Sequence, residues 1–235
     1  MLIFGLQKLT LLDYPEHVAC TVFLGGCDLR CPFCHNYELA DGTAQPVMEE
    51  DAFFSFLSRR TGLLDGVAVT GGEPCLQPEL PAFLARIRDM GYMVKLDTNG
   101  FHPDMLKKIL DARLADYVAM DVKNSPAKYA RTVGRAEPDL SPVLRSIALI
   151  RESAPDYEFR TTVVRELHTA DDIHEIGRML QSAKRYFLQP FTDRDTVPHA
   201  GFHAPSLQEM NEYLGIAGVY IPNALLRGID SKSDL

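Results

Sequence analysis

The chain has 235 residues, 46% hydrophobic and 24% charged, with 24 Lys and Arg against 32 Asp and Glu for a net charge of −8. That length is ample for a sizeable core. The acidic balance argues against nucleic acid as a partner, because phosphates need a basic face. No run approaches the ~18 apolar residues of a membrane span, and residues 1–17 lack the basic start and cleavage site of an export signal, so the expected setting is the cytoplasm.

In chain order, residues 17–24 are β-branched and apolar and run into Gly25-Gly26, the pattern of a buried strand feeding a loop. Residues 48–62 predict a helix with an acidic first turn, an apolar face of Phe53, Phe56 and Leu57, and Gly62 as its stop. Strand 66–70 stops at Gly71-Gly72, and helix 78–91 closes on Gly91. Strand 92–100, helix 103–114 and strand 116–124 follow, both strands ending in polar residues. Helix 141–154, strand 157–164, helix 170–183, strand 186–191 and helix 206–218 complete the series, with a short strand expected within 219–228.

About six strand–helix repeats imply parallel strands joined by right-handed crossovers. A closed eight-unit barrel needs ~250 residues. The expected fold is therefore α/β, an open six-unit (β/α)6 partial TIM barrel forming a single domain over residues 1–235, with a flat doubly wound sheet as the alternative. In either, the ligand site lies at the carboxyl ends of the strands. The polar residues fall there: Cys27, Cys31 and Cys34 after the first strand, Glu73 after the second, Asp97, Thr98 and Asn99 at the third and Asp121 and Lys123 at the fourth, while Arg160 lies within the fifth.

Three of the five cysteines are spaced C-x3-C-x2-C within eight residues. In a reducing compartment such a cluster reads as a metal or redox site rather than as disulfides. Zinc with a fourth ligand such as His35 or Cys75 fits the cysteines, and so does an iron–sulfur cluster with one iron left open. Cys20, mid-strand, reads as core. The stretch VTGGEP, residues 69–74, sets two glycines, which let backbone approach a ligand closely, directly before a carboxylate.

The cysteine motif with Phe33 before its third cysteine, followed one unit later by GGEP, resembles the radical S-adenosylmethionine superfamily, over about residues 18–189. The resemblance implies a [4Fe-4S] cluster on Cys27, Cys31 and Cys34. Its open iron would bind S-adenosylmethionine, and reductive cleavage would yield a 5′-deoxyadenosyl radical that abstracts hydrogen from a substrate. Phe33, Gly71, Gly72 and Glu73 would then serve the cofactor, with Glu73 accepting its ammonium hydrogens, and an apolar barrel interior would exclude solvent.

Residues 34–36 (CHN), 96–100 (LDTNG) and 120–123 (MDVK) are further similar to the activating enzymes of glycyl-radical enzymes. Residues 5–27 are most similar to anaerobic ribonucleoside-triphosphate reductase activating proteins. This implies anaerobic ribonucleotide reductase as the glycyl-radical partner, with flavodoxin or ferredoxin as electron donor. It also implies Asp97, Thr98, Lys123 and Arg160 as cofactor contacts, and Asp97, Thr98 and Asp121 as a monovalent-cation site. A pyruvate formate-lyase activating enzyme and a 7-carboxy-7-deazaguanine synthase are the alternatives. The chain departs from the activases after its sixth strand, reading Leu188-Gln189-Pro190-Phe191-Thr192 in place of a PYH pattern. The Pro-, Gly- and His-containing stretch 192–205 reads either as a solvated connector or as a docking loop for the partner with Phe202 as its anchor.

Overall fold

The apolar runs become strands of one sheet and the amphipathic runs become helices along it. The computed structural model describes residues 1–229. Its strands are β1 (Leu2–Ile3), β2 (Gly5–Thr10), β3 (Ala19–Leu24), β4 (Met48–Glu49), β5 (Gly66–Gly71), β6 (Met93–Thr98), β7 (Tyr117–Asp121), β8 (Asp156–Val163), β9 (Tyr186–Pro190) and β10 (Ala224–Leu226). Its α-helices are α1 (Tyr37–Asp41), α2 (Glu50–Ser58), α3 (Leu80–Asp89), α4 (Pro103–Asp111), α5 (Tyr129–Val133), α6 (Ser141–Ser153), α7 (Ala170–Met179) and α8 (Leu207–Tyr220).

The main sheet runs β10-β9-β8-β7-β6-β5-β3-β2, with β1 and β4 forming a separate pair. Every neighbour in the main sheet is parallel except β2, which lies antiparallel on β3. Its edges do not meet, so the sheet is open and not closed into a barrel.

Alternate residues of the strands point to opposite faces. Cys20, Val22, Val67, Val69, Val94, Leu96, Val118, Met120, Phe159 and Leu188 share one large core with Leu57, Leu84, Ile109, Ile150 and Ile176 of the helices. The opposite face holds a small separate cluster of Tyr14, Ala19, Tyr117 and Ala119. Helices thus pack on one face, which fits the partial barrel and not the doubly wound sheet. The apolar interior is corrected: Lys95, Asp97, Asp121, Glu158 and Arg160 occupy the inner positions of β6, β7 and β8, and Lys95 and Glu158 are 2% and 0% exposed.

Edge strand β2 was not anticipated, nor were the short helices α1 and α5. The terminal strand is β10, with residues 219–220 belonging to α8. Among the described residues no helix is long and apolar enough to cross a membrane.

Candidate active site

The carboxyl ends of β3, β5, β6 and β7 and the inner face of β8 line one cavity of about 190 Å3. Every residue expected at the site contributes to its wall: Cys27, Cys31, Phe33, Cys34, Gly71, Gly72, Glu73, Asp97, Thr98, Asp121, Lys123 and Arg160. Cys20 is fully buried in the helix-side core, and Cys75, 3% exposed, lies outside the cavity wall.

The cysteine loop is held by its backbone. The Gly26 N–H donates to Leu39 O at 2.7 Å, Gln77 Nε2 to Gly25 O at 2.7 Å, and the Arg30 N–H to Val133 O at 2.9 Å. All three thiols are free. Burial pushes Cys27 up to about 11 and Cys31 up to about 12, and raises Cys34, with Lys123 opposing each shift. Metal ligation by these groups releases their protons.

Among the described residues no three His, Cys, Asp or Glu side chains converge as a single-ion site. The three thiols share the wall of one cavity. Of the two candidate fourth ligands for zinc, His35 lines the cavity but is engaged by the chain. His35 Nε2 lies 2.6 Å from Thr192 O, with its ring stacked on Phe191, and Cys75 is outside the cavity wall.

The glycines answer a tight approach of two strand ends. A Cβ on Gly71, whose φ is +129°, would stand 2.1 Å from Leu24 O, and one on Gly72 would stand 2.0 Å from Gly26 O. Side chains there would push the GGE segment off the cysteine loop. Glu73 itself is 1% exposed. Its Oε1 accepts from the Cys75 N–H at 3.0 Å and from Thr98 Oγ1 at 2.8 Å, and its Oε2 from the Asn99 N–H at 2.6 Å. Burial pushes its carboxyl up against the pull of these donors. The carboxylate therefore ties the end of β5 to the end of β6.

A lattice of charges crosses the inner face. Arg160 Nε donates to Asp121 Oδ1 at 2.8 Å, and its NH2 lies 3.4 Å from Asp97 Oδ2. Lys123 Nζ donates to Asp121 Oδ2 at 2.9 Å, and Lys95 pairs with Asp97. Burial pushes both aspartates up, but Arg160 with Lys95 and Lys123 outweighs it and holds both below the usual carboxylate range. Arg160 bridges the two carboxylates, and Thr98 directs its hydroxyl to Glu73.

Depressed carboxylates stabilise fully above the unfolded pKa of ~3.9, and that contribution is lost as pH falls through their lower folded values. Urea unfolding should therefore weaken more steeply below about pH 4 in the wild type than in Asp97→Asn. Equal slopes would remove Asp97 from the lattice.

Several residues that hold Lys123 and Glu158 in place carried no motif. His168 is buried; its Nδ1 accepts from the Val164 N–H at 3.1 Å, so Nε2 carries the proton and donates to Lys123 O at 2.9 Å. The Lys123 N–H donates to Tyr129 Oη at 3.3 Å, so Lys123 is clamped on both sides. Arg227 grips buried Glu158 with two bonds of 2.6 and 2.7 Å. An isolated histidine, tyrosine or arginine beyond a strand end has no spacing signal that could have marked it.

A model of the Radical SAM superfamily matches residues 21–180. The chain belongs to the radical S-adenosylmethionine superfamily. That family implies a [4Fe-4S] cluster and S-adenosylmethionine, and the three thiols on the cavity wall fit the cluster. Across its whole length the chain is 31% identical over 242 residues to a Methanocaldococcus jannaschii protein that bears the provisional name of a glycyl-radical enzyme activating enzyme, covering 99% of that protein. It is 27% identical over 226 residues to the pyruvate formate-lyase-activating enzyme of Listeria monocytogenes, covering 90% of this chain and 87% of the other. Among solved structures, Streptococcus suis SuiB bound to precursor peptide SuiA superposes with a TM-score of 0.69 at 13% identity, over 89% of this chain and 48% of that one. The last likeness is one of fold.

Proposed function

We propose that this protein is a radical S-adenosylmethionine activase that installs a glycyl radical on anaerobic ribonucleotide reductase. The observation that carries the activase reading is the end-to-end likeness to a protein named for that role. The reductase as partner rests on residues 5–27, which build β2, β3 and the start of the cysteine loop. Pyruvate formate-lyase is the second reading, favoured by the Listeria relative.

In this reading Cys27, Cys31 and Cys34 hold three irons. When bound, the cluster supplies the electron that cleaves S-adenosylmethionine. Lys123, Asp97 and Arg160 present opposite charges to the amino-acid part of the cofactor, while Phe33 and the Gly71-Gly72 backbone shape its seat. Flavodoxin or ferredoxin in the cytoplasm provides the electron. A monovalent cation at Asp97, Thr98 and Asp121 belongs to the proposed cofactor set. The loop 192–205 receives the partner: residues 192–196 are exposed, and Phe202 anchors the segment 6.4 Å from Phe33, ring to ring.

The reconstituted protein, mixed with anaerobic ribonucleotide reductase, S-adenosylmethionine and a low-potential reductant, should give the electron-spin doublet of a glycyl radical. Deleting residues 193–200, which spares Phe202, should reduce that doublet while cofactor cleavage continues. A doublet with formate-lyase alone would move the assignment to the second reading, and consumption of a small purine precursor with neither partner responding would overturn the activase.

A further inference from the structure

Asn99 ends the LDTNG stretch and is 6% exposed. Its Oδ1 accepts from the Phe101 N–H at 2.9 Å, which fixes the orientation of the amide, since a flipped amide would set donor against donor. Its main-chain N–H is held by Glu73 Oε2 at 2.6 Å. So pinned, Nδ2 points at the cysteine loop, 3.1 Å from Asp28 Oδ1 and 3.8 Å from Cys27 Sγ. The same sulfur accepts from the Leu29 N–H at 3.4 Å.

We infer that Asn99 tunes the reduction potential of the cluster by donating to the Cys27 sulfur, with Asp28 acting in the opposite sense on the same amide. The inference rests on the cluster reading above. One electron from the low-potential donor converts the cluster from the 2+ to the 1+ state, and no bond is made or broken. The added negative charge spreads onto the sulfurs. An N–H aimed at a ligating sulfur stabilises that charge and raises the potential, one of the protein's levers on such centres. A carboxylate beside it stabilises the oxidised form. Asp28 is only partly neutralised, by His102 Nε2 and Arg135 NH1 at 3.4 Å each.

The test is a redox titration of the reconstituted full chain, followed by electron spin resonance, after iron and sulfide have been counted in each variant. Asn99→Ala should keep the wild-type iron content and shift the midpoint potential to more negative values. Asn99→Asp keeps the acceptor for Phe101 and puts a carboxylate where the donor was, so its shift should be larger in the same direction. Asp28→Asn should shift the potential the other way, a sign change that general loosening of the site would not produce. Full iron content with unchanged potentials, or a positive shift in Asn99→Ala, overturns the inference. A wild-type chain that takes up no iron would instead overturn the cluster reading beneath it.

Discussion

Replacing Cys27, Cys31 or Cys34 singly with alanine should abolish the brown chromophore and the iron and sulfide uptake of the anaerobically reconstituted protein. Cys20→Ala and Cys75→Ala should retain both. The contrast follows from placement. The first three sulfurs line the cavity, while Cys20 points from β3 into the helix-side core and Cys75 lies beneath the GGE turn. A three-thiolate cluster already leaves one iron to its cofactor, so losing a further ligand leaves half the cube without protein support. Iron analysis and the visible spectrum report the result. Stoichiometric zinc without iron, or loss of iron in Cys75→Ala, would reverse the assignment of the ligand set.

Glu73→Ala should destabilise the metal-free protein by ~3 kcal/mol or more, because three donors lose their acceptor and a buried donor left unsatisfied costs ~1–3 kcal/mol. The donors are the Cys75 and Asn99 N–H groups and the Thr98 hydroxyl. Glu73→Gln keeps one oxygen and should lose less. Domains are stable by only ~5–15 kcal/mol, so the alanine variant gives up a large share before any cofactor is added. Urea unfolding of the apoprotein measures it. A glutamate whose sole task was to receive the cofactor's ammonium group would leave apoprotein stability unchanged, and that result would refute the tie between β5 and β6. Weaker S-adenosylmethionine binding is expected as well, by displacement of the strand ends.

The site was legible because one rule located it. In a parallel α/β chain the carboxyl ends of the strands share a rim, and every expected residue from Cys27 to Arg160 reached the same cavity through that rule. What each side chain does there was less legible. Glu73 was placed correctly along the chain, but only tertiary packing decides that its oxygens turn to Thr98 and Asn99. Lys95 and Glu158 alternate with apolar neighbours as solvent-facing residues would, and alternation cannot say whether the polar face meets water or other charges. Strand β2, residues Gly5–Thr10, has a poor strand composition and owes its form to pairing with β3, irregular between Gln7 and Thr10. Strand propensity yields to such context.

The grip of Arg227 on Glu158 has a consequence for how the chain comes into being. The guanidinium stacks 3.6 Å over the Phe187 ring, and the two partners are 69 residues apart. At ~5–20 residues per second of translation, Glu158 emerges roughly 3–14 s before the group that neutralises it. Through that interval the nascent chain can form the earlier strands, but burying β8 in its final place would strand a carboxylate with Tyr117 and Arg160 as its remaining partners. The far half of the sheet is thus assembled late, and newly made chains halted between residues 158 and 227 are the ones that molecular chaperones should retain.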